Sequence, residues 1–123
     1  MHIVDDVDDD QCQWRAVETT EVPPRVAHTQ AVVSTEGSTV VYVFGGRQGI
    51  TMEEAPLNDL WAFNVATEKW AKVTDVHGDV PEPRSFHAMC AVGSTLFVFG
   101  GCSAKVGSVR CDGATDTHSD LGI

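Results

Sequence analysis

Three arginines are the side chains of this 123-residue chain whose neighbours best suit them to bind a partner. Arg25 and Arg84 each follow a proline and stand three positions before a histidine, and Arg47 directly follows two glycines. A guanidinium group can hold a carboxylate or a sulfate through two parallel hydrogen bonds. Arg25 and Arg84 favour structural bonds within or between repeats, whereas for Arg47 a contact role and a structural role are equally open.

The segment that follows Arg47 predicts a long surface loop with two acidic side chains. Residues 49–56 are inserted after the paired glycines and include Glu53 and Glu54. Long loops held by a rigid scaffold often carry recognition residues. The candidate binding residues are therefore Arg47, Arg25, Arg84, Glu53 and Glu54.

The cysteines lack the spacing of a zinc site, and no catalytic motif is present in the sequence. The four cysteines, at positions 12, 90, 102 and 111, include no pair separated by two residues. Free thiols are the expectation, and a pairing of Cys102 with Cys111 stays open. The sequence has no nucleophile elbow and no phosphate-binding glycine loop. We expect no catalytic residue, no metal and no cofactor.

The charge balance limits the partners that the chain can bind. With 18 acidic and 8 basic residues, the formal net charge is −10. Phosphate backbones and anionic membrane surfaces repel such a surface, so we expect no nucleic acid and no membrane as partners. Protein partners with basic or mixed surfaces fit better. The first residues contain no basic segment followed by an apolar run, which predicts a cytoplasmic location, with the nucleus as the alternative.

Three short markers occur twice in the chain, in the same order. The proline-arginine pair recurs at an offset of 59, the glycine pair at 55 and the tryptophan at 56. Loops of variable length between fixed strands produce such small differences. Between the markers, residues 28–34, 39–44, 60–65 and 69–73 are short β-forming runs bounded by turn residues. Four strands in a repeat of about fifty residues predict the blade of a β-propeller.

These markers resemble those of kelch-repeat proteins. The first copy reads Pro24-Arg25-x-x-His28, Tyr42-Val43-Phe44-Gly45-Gly46, Asn58-Asp59-Leu60-Trp61-x-Phe63-Asn64 and Trp70. The second copy reads Pro83-Arg84-x-x-His87 and Phe97-Val98-Phe99-Gly100-Gly101. The resemblance implies an all-β fold of kelch-type β-propeller blades, each a four-stranded antiparallel sheet. It also implies structural roles for the repeat markers Gly45, Gly46, Gly100, Gly101, Trp14, Trp70, His28 and His87.

The markers divide the chain into three parts. We expect an acidic disordered leader over 1–11, a kelch-repeat region over 12–101 and an irregular tail over 102–123. Within the repeat region, a full blade spans about 25–74 and a half blade about 84–101. Fewer blades than a closed ring needs leave sheet edges unpaired. The propeller is therefore expected to be incomplete, either as a fragment of a larger scaffold or as a chain that completes it by self-association.

The resemblance implies a protein-interaction module or a scaffold fragment, not an enzyme. The alternative is a fragment of a nitrile-specifier-like kelch protein, which acts on glucosinolate breakdown products and uses ferrous iron. The iron-binding residues of such proteins lie in later blades and have no place on this chain, so the fragment is not expected to be active. A kelch-type copper oxidase is a weaker option, because it needs tyrosine ligands and the single tyrosine, Tyr42, lies in a core strand pattern.

Overall fold

The computed structural model consists of short antiparallel strands. It describes residues 1–8, 10–19, 21–50, 53–105, 108–111 and 116–119, and this part of the chain contains strands and no helix. In chain order the strands are β1 (His2–Asp5), β2 (Gln13–Ala16), β3 (Thr29–Thr35), β4 (Ser38–Phe44), β5 (Leu60–Asn64), β6 (Lys69–Lys72), β7 (Ala88–Val92), β8 (Thr95–Phe99), β9 (Cys102–Lys105), β10 (Ser108–Cys111) and β11 (Asp116–Ser119). The expected all-β fold of kelch-type blades is confirmed.

The central blade is a four-stranded antiparallel sheet in the order β3-β4-β5-β6. Strands that follow one another in sequence are neighbours in this sheet, as is usual when a turn or loop joins antiparallel strands. Side chains of β3 alternate between the two faces, with Ala31 and Val33 buried and Val32 exposed. Gly37 lies in the turn before β4 at φ +88°, a conformation that glycine adopts without steric cost.

The C-terminal sheet, in the order β11-β8-β7, packs against one face of the central blade. Leu96 of β8 is 1% exposed and lies in one apolar cluster with Ala31, Val33 and Tyr42 of the central blade. Removing apolar side chains from water on facing sheet surfaces is the main favourable term in such packing. The core of the described chain is therefore the joint between these two sheets.

The N-terminal segment differs from the disordered leader that we expected over 1–11. Strands β1 and β2 form an antiparallel hairpin in which Val4 lies opposite Trp14. Asp5 accepts a hydrogen bond of 2.8 Å from Nε of Arg15 on the other strand. The acidic run does not prevent a strand here, because an apolar pair and an ion pair across the hairpin both favour the pairing.

The segment after Gly101 also differs from the irregular tail that we expected over 102–123. Strands β9 and β10 form a hairpin, and β11 pairs with β8. Cys102 is disulfide-bonded and lies opposite Cys111 in the hairpin register, so the expectation of a free thiol is wrong for Cys102. Ser85 and Cys102 exchange main-chain hydrogen bonds of 3.0 and 2.7 Å. Polar residues form strands when an existing edge offers hydrogen-bond partners, which composition alone does not show.

Candidate functional site

Arg47, for which a contact role and a structural role were equally open, lies inside the molecule. Its side chain is 2% exposed, and Nε donates a hydrogen bond of 2.6 Å to Oγ of Ser85. Its main chain exchanges hydrogen bonds of 2.9 and 2.8 Å with Val26 and also bridges to Pro56. Arg47 therefore holds together the loop before β3, the loop before β5 and the loop before β7.

Two nitrogens of the Arg47 guanidinium are unusual, because they are buried polar atoms that lack a hydrogen bond among the described residues. Within the described part of the chain, neither Nη1 nor Nη2 has a hydrogen-bond partner, although both are buried. The charged plane lies 6.0 Å from the ring centre of Phe86, within the range of a cation–π contact. Because the guanidinium lies beneath the exposed ring of Phe86, a partner at this surface would contact Phe86 and not Arg47.

The paired glycines allow three segments to approach one another closely beside Arg47. Both are in the left-handed region, with φ +66° at Gly45 and +92° at Gly46. A Cβ atom would lie 2.7 Å from the carbonyl oxygen of Arg84 at the first glycine and 2.6 Å from that of Val26 at the second. Only a residue without a side chain fits these positions.

Arg25 forms an ion pair inside the central blade. Its Nη1 and Nη2 donate to the two carboxylate oxygens of Asp59 at 2.6 and 2.8 Å, and Nη1 also donates to the carbonyl of Gly45 at 3.1 Å. Trp61 Nε1 donates to the same carboxylate at 2.7 Å. Burial alone would raise the pKa of Asp59, but the hydrogen bonds from Arg25 and Trp61 outweigh it and lower the pKa. Arg25 thus serves the blade as a structural residue.

Arg84 occupies the same repeat position as Arg25 and is also buried. Its Nη1 donates to the carbonyl of Gly100 at 3.1 Å, as Arg25 donates to the carbonyl of Gly45, and its Nε donates to the carbonyl of Glu82 at 3.2 Å. The two arginines therefore bind the backbone of their own repeats. Neither presents its guanidinium to solvent in the way that the binding-face prediction required.

The two repeat histidines have different surroundings. His87 is buried, shares a hydrogen bond of 2.6 Å with the hydroxyl of Thr29, and meets the ring of Phe44 edge-on at 5.4 Å. Burial, followed by the charge of Arg84, lowers the pKa of His87 to about 4. His28 keeps more of its ring in solvent, and partial burial with the charge of Arg25 lowers its pKa.

The two repeat tryptophans also differ. Trp70 packs on Phe63 across the outer strands of the central blade, with ring centres 5.0 Å apart. Trp14, by contrast, is 72% exposed, so most of its side chain lies in solvent. An aromatic of this size is left in solvent because the hairpin that carries it has no further sheet on that side among the described residues.

The three loops that Arg47 joins carry a set of exposed side chains, and we name this set the loop face. It combines apolar and acidic side chains from three loops: Val26, Ile50, Glu53, Glu54 and Phe86. Ile50 is 89% and Phe86 64% exposed, whereas side chains of this size are ordinarily buried. The sequence predicted Glu53 and Glu54 but missed the two apolar residues. Two features of the sequence could have indicated these residues: Ile50 is an isoleucine within a polar insertion, and Phe86 is a phenylalanine between Ser85 and His87.

The described residues contain no group of three or more His, Cys, Asp or Glu side chains arranged to hold a metal ion. In the same residues, no helix is long and apolar enough to cross a membrane.

Comparison with known proteins identifies relatives of the whole strand pattern. The KLHDC2/KLHL20/DRC7 Kelch-repeats domain matches residues 1–119. The tRNA wybutosine-synthesizing protein 2/3/4 of Oryza sativa subsp. japonica is 40% identical over 96 residues, which are 78% of this chain and 8% of that protein. Host cell factor 2 of Homo sapiens is 39% identical over 80 residues, 63% of this chain and 9% of that protein.

A third relative has a name that states a partner. The Rab9 effector protein with kelch motifs of Gallus gallus is 34% identical over 97 residues, which are 76% of this chain. The chain spans 24% of the length of that protein and a smaller share of the other two.

Proposed function

The chain belongs to the kelch-repeat family, and from this premise we propose that it is a protein-binding module that forms part of a larger β-propeller. The loop face carries the proposal. It exposes apolar side chains next to carboxylates, on loops that Arg47 holds from beneath by hydrogen bonds to Ser85 and Val26. A rigid platform under exposed apolar residues is the arrangement by which interfaces concentrate their binding free energy.

The negative charge of the loop face favours a partner with basic side chains. Glu53 and Glu54 are both exposed, and the whole chain has a net charge of −10. A protein segment that combines basic side chains with an apolar anchor would be attracted electrostatically and could then bury Ile50 and Phe86. We therefore propose basic and apolar protein segments as ligands of this face.

Selection of peptides from a displayed random library on the purified chain tests the loop face. We expect the selected peptides to be enriched in Lys and Arg beside apolar residues. The double substitution Glu53→Lys with Glu54→Lys should weaken their binding at least about tenfold. The control, Glu18→Lys with Glu36→Lys, changes the net charge equally at exposed carboxylates outside the loop face and should bind nearly as the wild type does.

Two results would contradict this assignment. One is a selection that enriches no peptide over a surface without protein. The other is an equal loss of binding in both double variants, because this would show that net charge, and not the loop face, governs the interaction.

We also propose that copies of the chain associate with one another. The described chain has one four-stranded blade, with a two-stranded hairpin before it, and with a three-stranded sheet and the hairpin β9-β10 after it. Open sheet faces and edges at both ends of a blade series favour the addition of further blades.

A further inference from the structure

The joint between the central blade and the C-terminal sheet has two complementary sides. The central blade contributes what we name the acceptor face, with four side chains between 3% and 9% exposed: Ala31, Val33, Tyr42 and Phe44. The C-terminal sheet contributes the donor face, whose side chains contact them: His87, Met89, Ala91 and Leu96. Main-chain hydrogen bonds from Gly46 N to Arg84 O, at 2.9 Å, and from Phe86 N to Ala27 O, at 3.0 Å, complete the joint.

The C-terminal sheet carries a second acceptor face, and this one is open. The repeat markers align four of its side chains with the first acceptor face: Cys90, Val92, Phe97 and Phe99. Cys90 is exposed, and the other three are between 43% and 65% exposed. The same repeat positions are thus apolar in both sheets, but among the described residues a donor face packs on the central blade and none packs on the C-terminal sheet.

The paired glycines show the same difference at the level of the backbone. Gly100 aligns with Gly45 and has nearly the same backbone conformation, with φ +71° against +66°. A Cβ at Gly45 would meet Arg84 O at 2.7 Å and His87 Cε1 at 2.9 Å. A Cβ at Gly100 would have no atom of the described residues within 4 Å. The space beside Gly100 is the space that a proline-arginine segment fills beside Gly45.

The central blade carries a second donor face on its opposite side. Four of its residues align with the first donor face: His28, Gln30, Val32 and Val41. Val32 is 53% exposed, and His28 and Gln30 are exposed. A cavity of about 260 Å³ lies between this side and the N-terminal segment, with walls that include Met1, Thr19, His28, Gln30 and Val41. Val43, opposite Gln30 in the sheet, is 6% exposed, so this side is covered in part. Within the described part of the chain, the central blade therefore has a partly open donor face and the C-terminal sheet an open acceptor face, in addition to the joint where one of each already meets.

We propose that a second copy of this chain docks its donor face, through His28, Gln30 and Val41, onto the open acceptor face of the first, through Phe97, Phe99 and Gly100. The contact is head to tail and reproduces between copies the joint that exists within each copy. Phe99 would meet His28 as Phe44 meets His87, and Gly101 N would donate to Arg25 O as Gly46 N donates to Arg84 O. A heterologous contact of this kind adds copies in a ring or a chain.

Docking in this direction would also exchange one strand at the outer edge of the C-terminal sheet. Trp14 aligns with Trp70, so β1-β2 corresponds to the outer pair β5-β6, but β1 lacks a counterpart of β4 among the described strands. Strand β8 is such a counterpart, and its outer edge now pairs with β11. The sequence of β11 is Asp-Thr-His-Ser, whereas that of β1 is His-Ile-Val-Asp. The joint requires β1 of the second copy to replace β11 on this edge, and the more apolar strand suits a partly buried position.

The joint between copies differs from the internal joint in one hydrogen bond. His87 bonds to the hydroxyl of Thr29, but the residue that aligns with Thr29 in the C-terminal sheet is Ala88. His28 of the second copy would find no hydroxyl there. The joint between copies is therefore weaker than the internal joint, and association should depend on concentration.

Sedimentation velocity of the full chain over a range of concentrations tests this inference. It deepens the proposed self-association and does not depend on the loop face, so a failed peptide selection would leave it standing. We expect species above the 13.2 kDa of one chain, and stronger association when salt screens the repulsion between copies of charge −10.

Two variants block the two sides of the joint separately. Gly100→Asn fills the space beside Gly100, and Gln30→Glu would bury a carboxylate against Phe97 and Cys90 of the other copy. Each alone should weaken association at least about tenfold. Mixed together, the two variants keep one intact pair of faces. They should therefore form a dimer of twice the chain mass and nothing larger.

Gly93→Asn is the matched control for Gly100→Asn. Gly93 has φ +59° and also has nothing within 4 Å of a Cβ among the described residues, but it lies in the turn between β7 and β8, at the opposite end of β8 from Gly100. Asparagine tolerates this conformation better than most residues. We expect Gly93→Asn to associate like the wild type. A wild-type chain that stays monomeric, or a Gly100→Asn chain that associates as the Gly93→Asn chain does, would overturn the inference.

Discussion

Nε2 of His87 lies 2.6 Å from the hydroxyl oxygen of Thr29, and this hydrogen bond crosses from the C-terminal sheet to the central blade. His87 is buried at this point, so the partner of its ring nitrogen is supplied by the facing sheet and not by water. The two sheets are thus joined by a polar contact within an otherwise apolar joint, and its loss should be measurable.

Thr29→Val should lower the free energy of unfolding by about 1–2 kcal/mol, because it leaves the buried ring nitrogen of His87 without its partner at nearly constant side-chain shape. Urea denaturation followed by tryptophan fluorescence measures the change. Thr35→Val, at the exposed end of the same strand, is the control and should change the free energy much less. Equal effects of the two substitutions would show that the hydrogen bond across the joint contributes nothing specific.

The stability of the chain should fall as the pH is lowered from about 6.5 to about 4, because burial lowers the pKa of His87 to about 4 from an ordinary value of 6.5. Between these values the unfolded chain binds a proton at this position and the folded chain does not, so protonation favours unfolding. The loss should reach as much as about 3 kcal/mol at the lower end.

Urea midpoints at a series of pH values measure this dependence. His87→Gln should reduce the slope in the window, although it lowers stability at neutral pH. His77→Gln is the control, because the side chain of His77 is 88% exposed, and the slope should stay as in the wild type. If the urea midpoint of His87→Gln depends on pH as steeply as that of the wild type, groups other than His87 cause the effect.

Asp59→Asn should destabilise the central blade by about 3 kcal/mol, because it leaves the buried charge of Arg25 without its counter-ion. The side chains of Arg25 and Asp59 are 4% and 16% exposed. Thermal unfolding followed by circular dichroism compares this variant with Asp5→Asn, which breaks the more exposed ion pair with Arg15. We expect a much smaller shift of Tm for Asp5→Asn, since solvent screens that pair. Similar shifts would argue against a special role for the buried pair.

Gly45→Ala should destabilise the chain by at least about 1 kcal/mol more than Gly93→Ala. Both substitutions place a side chain in the left-handed region, at φ +66° and +59°. Only at Gly45 does the new Cβ also meet backbone, at 2.7 Å from Arg84 O. The difference between the two urea midpoints therefore isolates the close approach of the sheets, and a difference near zero would mean that the joint relaxes to admit the methyl group.

The repeat pattern of the sequence predicted the blade architecture because the signals are local. Alternating apolar residues, turn residues and paired glycines each restrict the backbone within a few positions, and together they specify strands in a fixed order. The predicted all-β fold of kelch-type blades was confirmed for this reason. The N-terminal strand was missed because the acidic run around Asp5 suggested solvent, whereas its pairing partner, Arg15, lies on another strand.

Which members of the equivalent residue pairs are buried could be read only from the tertiary structure. His28 and His87 have the same motif, as do Gly45 and Gly100, yet His87 and Gly45 lie buried at the joint between the sheets, whereas His28 is exposed and Gly100 has open space beside it among the described residues. The sequence left a contact role and a structural role equally open for Arg47, and the structure buries it, because the loops that cover it come from distant parts of the chain. The sequence by itself determined which residues form the faces of a blade. Burial requires a second surface, so only the packing of the sheets decided which faces are covered and which stay open.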